Sequence, residues 1–279
     1  MTIRPRRSVL FLPASNQRAI DKARTLASDV LILDLEDAVA PEAKAAARGA
    51  AVAAMATGFG ARERVVRANG LDTEWGAADA AALASANVEA VVFPKISSPA
   101  DLAAARAALG EEGPPIWAMI ETCAAILDLR GRAAAAAATG TTAFIAGTND
   151  LAKEMRCRPD TTRAPLVPAL MQIVVAARAA GIVALDGVCN AIGDEARLAA
   201  ECDQGRMLGF DGKTLIHPSQ IAAANAAFAP SEAEVAWANR VVAAFADPAA
   251  AARGAIQVDG AMVERLHLEE AEAILARAT

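Results

Sequence analysis

The feature that most constrains the fold is an alternation of short apolar runs with alanine-rich segments along most of the 279-residue chain. Each run has the length of a buried strand, and the segments between runs are long enough for helices. Eight strand–helix units in this order predict an α/β fold, a (β/α)₈ TIM barrel. A doubly wound open sheet is the alternative, but the sequence lacks the G-x-G-x-x-G and Walker turns that such sheets use. The predicted strands are SVLFLP (8–13), VLILDLED (30–37), RVVRAN (64–69), AVVFPK (90–95), IWAMIET (116–122), AFIAGTND (143–150), IVALDGV (182–188) and KTLIHP (213–218).

The chain continues beyond the eighth unit, so we predict two domains: a catalytic barrel over 1–228 and a C-terminal helical extension over 229–279. Residues 231–246 form an amphipathic pattern that begins with a serine and acidic residues, which is typical of a helix N-terminus. The last segment, 256–278, predicts a short extended piece, a turn at Asp259-Gly260 and a closing helix. This extension acts either as a lid or as packing.

The charge and the composition exclude several classes of protein. A net charge of −6 disfavours nucleic-acid binding, and no apolar window is long enough to cross a membrane. The basic N-terminus leads directly into a strand, which is unlike a signal peptide. The four cysteines are far apart in sequence and form no C-x-x-C pair, so we expect a cytoplasmic protein without a disulfide framework.

Reactive side chains accumulate where the predicted strands end, which is the edge that carries the active site of barrel enzymes. Clustered carboxylates without a His or Cys group favour Mg²⁺, with Mn²⁺ as a substitute. We predict Glu121 and Asp150 as the metal ligands; a helix-cap Asp150 and an ion-paired Glu121 are the alternative. The strand-end residues are Asp34, Glu36, Asp37, Arg67, Asn69, Lys95, Glu121, Asn149, Asp150, Asp186 and His217.

Arg67 follows apolar residues and suits the two-point capture of a substrate carboxylate, although an ion pair with the acids of DLED (34–37) is the structural alternative. Lys95 and Lys213 would permit a Schiff-base aldolase, but nothing in the sequence indicates a desolvated lysine, and Lys213 is expected to pair with Asp211. His217 is either a base or a residue that fixes a loop.

Nine segments, taken together and in order, resemble the citrate lyase beta-subunit-like family of the HpcH/HpaI aldolase/citrate lyase superfamily. This family includes malyl-CoA, citramalyl-CoA and citryl-CoA lyases and related thioesterases. The resemblance implies a barrel with a helical extension, assembled as a homotrimer or hexamer. The segments are RSVLFLPASN, ILDLEDAVAP, RANGLDTEW, VVFPKI, MIETCAAILD, GTNDLAKEM, LDGVCN, GFDGKTLIHPSQI and VDGAMVERLHLEEA.

The resemblance also implies roles for single residues. Glu121 and Asp150 match the Mg²⁺ ligands, with Glu121 also against the substrate, and Arg67 matches the group that binds the keto-acid oxygens. Asp37, with Glu36 nearby, matches an acid that holds metal-bound water. The segment with Pro13, Asn16 and Arg18 matches part of the CoA-facing mouth. Glu264 matches a proton-transfer aspartate of the extension that is supplied to a neighbouring subunit, and it is one methylene longer.

These matches lead to an expected activity, a Mg²⁺-dependent carbon–carbon lyase. Such an enzyme cleaves or forms a 3-hydroxyacyl-CoA such as malyl-CoA, citramalyl-CoA or citryl-CoA, and its small-molecule partners are the CoA thioester, an acyl-CoA and a 2-oxo acid. A thioesterase acting on the same CoA thioesters is one alternative. A citrate lyase beta subunit that acts with partner subunits is another.

Overall fold

The computed structural model describes residues 4–247 and 254–278, which divide into two compact units. One unit comprises residues 6–227. The other begins at Phe228 and also includes the described N-terminal residues Arg4 and Pro5.

The first unit is a closed barrel of eight parallel strands in the order β1 to β8, so the predicted fold class is confirmed. Parallel strands need helical crossovers, and helices follow the strands around the barrel. The strands are β1 Ser8–Pro13, β2 Val30–Asp34, β3 Glu63–Arg67, β4 Ala90–Phe93, β5 Ile116–Ile120, β6 Thr141–Ala146, β7 Val183–Asp186 and β8 Gly212–Leu215. The helices are α1 Gln17–Ala23, α2 Lys44–Thr57, α3 Gly76–Leu83, α4 Pro99–Leu109, α5 Cys123–Leu127, α6 Leu129–Thr139, α7 Thr148–Met155, α8 Val167–Ala180, α9 Glu195–Leu208 and α10 Ile221–Phe228.

The barrel interior is filled by the side chains that point inward from alternate strand positions. They form one buried apolar cluster: Val9, Val30, Ile32, Val65, Ala90, Val92, Trp117, Met119, Ala143, Ile145 and Leu185. Asp34, Arg67 and Glu121 each lie two residues after an inward-pointing residue, namely Ile32, Val65 and Met119, and therefore point inward as well. The interior therefore changes from apolar to charged at its carboxyl end.

Most strands end earlier than the sequence predicted, so Glu36, Asp37 and Glu121 lie in the loops that follow the strands. The strand β2 ends at Asp34 rather than at Asp37, and β5 ends at Ile120, just before Glu121. Burial on both faces favours the strand only as far as the apolar run extends. The polar residues are thereby free to leave the sheet geometry and turn toward the mouth of the barrel.

The second unit contains the elements expected for the C-terminal extension. Helix α11, Glu232–Ala246, begins at the capping serine Ser231, and the strands β9 Ala255–Val258 and β10 Ala261–Glu264 form an antiparallel hairpin. Helix α12, Arg265–Ala278, follows. The two helices and the hairpin enclose a core of their own around Ala238, Val241, Phe245, Val263, Ala271 and Ile274. Among the described residues, no helix is both long enough and apolar enough to span a bilayer.

Candidate metal and substrate site

A cavity of about 530 Å³ opens at the carboxyl end of the barrel, where enzymes of this fold carry their active sites. Apolar and polar side chains share its wall, as expected for a site that binds a small ligand and orients it. The lining residues are Phe11, Leu12, Pro13, Asp34, Asp37, Ala38, Arg67, Met119, Glu121, Ile145, Ala146, Gly147, Thr148, Asn149, Asp150, Val188, Thr214 and Ile216.

Arg67 is fixed in this wall by the acids at the end of β2. Its Nε and Nη2 donate to the two oxygens of Asp34 at 2.7 and 2.6 Å, and its Nη1 lies 2.8 Å from Glu36 Oε2 and 3.6 Å from Asp37 Oδ2. Burial opposes the charge, yet the bonds and charges of Asp34, Glu36 and Asp37 raise the pKa of Arg67 above its usual range. Asp34, Glu36 and the Met119 sulfur, which lies 3.6 Å from Nη1, use four of the five guanidinium N–H donors, which leaves one on Nη2 for a ligand.

Glu121 is the most deeply buried acid of the cavity wall, with 1% of its surface exposed against 2% for the arginine-paired Asp34. Its Oε1 accepts the backbone N–H of Lys95 at 2.7 Å, and no described residue donates a hydrogen bond to Oε2. Burial raises its pKa to about 7; the Lys95 N–H opposes this shift, and the nearby charges of Glu36 and Asp150 add to it. The charge of Arg67 lowers the pKa in part, but no cation of the described residues forms an ion pair with Glu121.

Asp150 lies in the first turn of α7 and lines the same cavity. Among the described residues, no group of three or more acidic, histidine or cysteine side chains is arranged as a metal site. Mg²⁺ does not require one, because it is commonly held by one or two carboxylates and fills its other positions with water and substrate oxygens. Glu121 and Asp150 therefore fit this ion, because Oε2 of Glu121 accepts no hydrogen bond from the described residues and a cation would offset the charges of both carboxylates.

Glu36 and Asp37 are neighbours in sequence but differ in environment. Glu36 is buried and pairs with Arg67 and with the Lys95 ammonium, whose Nζ lies 3.3 Å from Oε1. Burial raises the pKa of Glu36, and the charge of Arg67 lowers it in part. Asp37 is 65% exposed and free to contact solvent in the cavity.

Two of the residues predicted at the CoA-facing mouth lie away from the cavity wall. Pro13 lines the cavity. Asn16 caps α1 by accepting the N–H of Ala19 at 3.1 Å, and Arg18 is exposed on that helix. Their role in CoA binding stays a prediction.

Glu264, the last residue of β10, belongs to the second unit. It is partly buried, and its backbone N–H donates to His267 Nδ1 at 2.9 Å. Its part in proton transfer also stays a prediction.

Two sequence predictions are wrong: the position of Asp186 at the rim and the ion pair between Lys213 and Asp211. Asp186 is fully buried rather than at the rim: it pairs with Lys213 Nζ and Arg163 Nη1, both at 2.9 Å. Lys213 therefore does not pair with Asp211, which binds Arg178 instead. The reason is the parallel register, which places Asp186 beside Lys213 on β7 and β8.

Two further strand-end residues have structural partners. Asn69 is buried and donates to Asp79 Oδ2 at 2.6 Å, while its own oxygen accepts from Lys44. His217 is exposed and accepts the backbone N–H of Ser219 through Nδ1 at 3.2 Å. His217 thus fixes the loop, one of the two readings of the sequence.

Lys44 is a residue of the site region that was not predicted from the sequence. Its Nζ donates to the carbonyls of Leu35 and Glu36 at 2.9 and 3.0 Å and to Asn69 Oδ1 at 2.6 Å, and it lies 4.9 Å from the centre of the Trp75 ring. The lysine thereby holds the backbone of the acidic loop after β2. Its position at the start of a predicted helix carries no signal of this contact.

Comparisons with known proteins place these features in context. The profile of the HpcH/HpaI aldolase/citrate lyase family matches residues 7–218. A (3S)-malyl-CoA thioesterase of Cereibacter sphaeroides strain KD131 is 48% identical over 277 residues, covering 98% of this chain and 95% of that protein. The citrate lyase subunit beta of Escherichia coli K12 is 33% identical over 285 residues, covering 99% and 94%. The crystal structure of CitE from Mycobacterium tuberculosis with magnesium, acetoacetate and coenzyme A matches with a TM-score of 0.79 and 33% identity, covering 100% and 99% of the two chains.

Proposed function

The chain belongs to the HpcH/HpaI aldolase/citrate lyase family, and from this membership we propose that it is a Mg²⁺-dependent enzyme that hydrolyses malyl-CoA or a closely related 3-hydroxyacyl-CoA. The products are free CoA and the hydroxy acid. The observation that carries the choice of hydrolysis is the 48% identity to a (3S)-malyl-CoA thioesterase over nearly the full chain, against 33% to a citrate lyase beta subunit.

The site supports binding of a substrate that carries both a carboxylate and a thioester. Glu121 and Asp150 hold Mg²⁺, and the CitE structure matched by this chain contains magnesium and coenzyme A. When bound, Mg²⁺ polarises the substrate oxygens and offsets the charge that develops on them. Arg67 contributes its positive charge and its remaining Nη2 N–H donor to the same anionic oxygens, and Asp34 keeps the guanidinium plane fixed.

Hydrolysis also requires a water molecule and a group that accepts its proton. Asp37 is the exposed carboxylate of the cavity wall and is suited to hold this water, with Glu36 beside it. Glu264 is the further carboxylate that the family resemblance assigns to proton transfer. We propose that it serves this reaction with a reach one methylene longer than the aspartate of many relatives.

Carbon–carbon cleavage of the same substrate is the second candidate. The observation that favours it is the match to citrate lyase subunit beta and to CitE with bound acetoacetate and CoA. A charged Arg67 next to a carboxylate-bound cation would stabilise the oxygen that becomes the carbonyl of a 2-oxo acid equally well.

The assembly as a homotrimer or hexamer and the cytoplasmic location remain predictions. Sedimentation analysis tests the assembly.

A product assay separates the two reactions. Purified protein is mixed with (3S)-malyl-CoA or citramalyl-CoA and Mg²⁺, with and without EDTA, and the products are identified by mass spectrometry. Formation of free CoA and the intact hydroxy acid that is lost with EDTA supports hydrolysis. Formation of acetyl-CoA and a 2-oxo acid instead would show that the enzyme is a lyase and would refute hydrolysis.

Two variants test the metal ligands in the same assay. Glu121→Ala and Asp150→Ala should each abolish turnover while leaving the circular dichroism spectrum unchanged. Full activity in either variant would refute its assignment as a ligand.

A further inference from the structure

Lys95 has a backbone conformation that a lysine rarely adopts. Its φ is +54°, in the left-handed region that costs a non-glycine residue about 1 kcal/mol or more. Of the other described non-glycine residues with positive φ, Arg156 ends helix α7, Arg163 precedes a short helical turn and Asp259 lies in the β9–β10 turn. Lys95 has no such capping role, because it lies in the loop between β4 and α4.

This conformation directs the backbone of Lys95 toward Glu121. The N–H donates to Oε1 of the buried Glu121 at 2.7 Å, and it is the one hydrogen bond to that carboxylate from the described residues. The carbonyl of Lys95 accepts the hydroxyl of Ser97 at 3.1 Å, and the Ser97 hydroxyl lies 2.9 Å from that of Thr122. Lys95 is therefore fixed through both of its peptide groups to residues 121 and 122.

The side chain of Lys95 makes a separate contact. Its Nζ lies 3.3 Å from Glu36 Oε1, and the side chain is 53% exposed, so this ion pair is partly screened by solvent. The backbone contact to Glu121 is partly buried and involves the N–H of Lys95 rather than its charge. The two contacts are therefore separable by substitution.

We propose that Lys95 is a positioning residue for the metal site. Its left-handed backbone holds Glu121 in one orientation, with Oε2 turned away from the protein donors and available to a divalent cation. The ammonium group pairs with Glu36. This inference rests on the proposed function, since it takes Glu121 as a metal ligand, and it adds the residue that orients this ligand.

Two substitutions that both remove the ammonium group test the backbone role. Lys95→Gly leaves the N–H in place, and glycine adopts positive φ without strain. Lys95→Val is incompatible with positive φ because valine is β-branched, so its N–H turns away from Glu121. The readout is Mn²⁺ binding, followed by the electron paramagnetic resonance signal of the free ion.

The expected result is a loss of about 10- to 100-fold in Mn²⁺ affinity for Lys95→Val, the size typical of losing a partner that orients a metal ligand. Lys95→Gly should remain within about threefold of the wild type, the scatter expected for a solvent-exposed position. Equal affinities for the two variants would overturn the proposal. Lys95→Met, which keeps an unbranched chain at the same φ without the ammonium, should behave like the wild type; a loss equal to that of Lys95→Val would assign the effect to the charge and would also overturn it.

A second pair covers the case in which Lys95→Val does not fold. Ser97→Ala removes the hydroxyl that joins the Lys95 carbonyl to Thr122, whereas Ser97→Thr keeps it. A lower Mn²⁺ affinity in Ser97→Ala alone supports the proposal, and equal affinities overturn it. Glu121→Gln tests the assumption that Glu121 is a metal ligand. If this variant binds Mn²⁺ as tightly as the wild type, the metal assignment is wrong and the positioning role of Lys95 is refuted with it.

Discussion

Gly147 offers a direct test of how tightly Glu121 is held. It lies between β6 and α7, and its backbone N–H donates to Ile120 O at 3.0 Å. A Cβ built at this position would overlap Glu121 Cβ and lie 2.6 Å from Oε2, where carbon contacts normally require about 3.5–4.0 Å. Rotation of the Glu121 side chain cannot relieve the overlap with Cβ, because the backbone fixes that atom. Gly147→Ala must therefore move β5 away from β6 or displace Glu121.

The expected cost follows from this geometry. Overpacking by one methyl group in a well-packed region lowers the free energy of unfolding by about 1–3 kcal/mol. Since the displaced residue is the proposed metal ligand, we also expect Mn²⁺ affinity to fall by about tenfold or more, as for other changes that disturb a ligand's orientation. Urea denaturation measures the first effect, and an Mn²⁺ titration of the folded variant measures the second.

Gly49→Ala is the matched control. Gly49 lies in helix α2, and a Cβ there meets no atom within 4 Å. The same methyl group should therefore stabilise the protein, by about 0.5–1 kcal/mol, and leave Mn²⁺ binding unchanged. If Gly147→Ala were as stable as the wild type and bound Mn²⁺ equally well, the close contact between Gly147 and Glu121 would not constrain the site.

Three further predictions address the surroundings of the site. Arg67→Lys replaces a two-point contact with a point charge, so we expect kcat/KM to fall by about 10²–10³-fold in the product assay, while near-wild-type kinetics would make Arg67 purely structural. Lys44→Met keeps the length of the side chain but leaves Asn69 Oδ1 without a described donor, while the carbonyls of Leu35 and Glu36 keep their second donors, so we expect a loss of about 1–3 kcal/mol; a urea midpoint equal to the wild type would contradict this. Burial alone would raise the pKa of Asp186, but Lys213 and Arg163 hold it below its usual range. Its stabilisation is therefore present above the unfolded pKa of about 3.9 and is lost as the pH falls through the lower folded value, and Asp186→Asn should flatten this part of an acid denaturation profile.

The barrel could be predicted because its signal is repeated and local. Each apolar run is long enough for a strand buried on both faces, and eight of them with intervening helices leave few alternatives. The central strand-forming residues lie where the pattern placed them, and the predicted helix at 231–246 begins one residue later, at Glu232, with Ser231 as its cap. The strand ends shifted because the sequence does not indicate where a backbone leaves the sheet to place a carboxylate.

The site could be predicted only in part, for two different reasons. Lys44 and the backbone of Lys95 act through the geometry of the loops that they contact. Neither the amino-acid type nor the spacing in the sequence predicts that the N–H of Lys95 orients Glu121. Contacts of this kind depend on φ and ψ angles at single residues, which tertiary structure imposes.

The wrong prediction that Asp186 lies at the rim of the barrel could have been avoided, because the alternation of side chains along a strand indicates the direction in which each one points. Side chains of a barrel strand point alternately inward and outward. Asp34 lies two residues after the inward Ile32, and Glu121 lies two after the inward Met119, so both point into the barrel and reach its mouth. Asp186 directly follows the inward Leu185 and therefore points outward, where it is buried and paired with Lys213. Parity therefore separates the acids that lie in a strand or directly after it, whereas Asp37 and Asp150 lie further along the chain and reach the cavity from the loop and the helix that follow the strands.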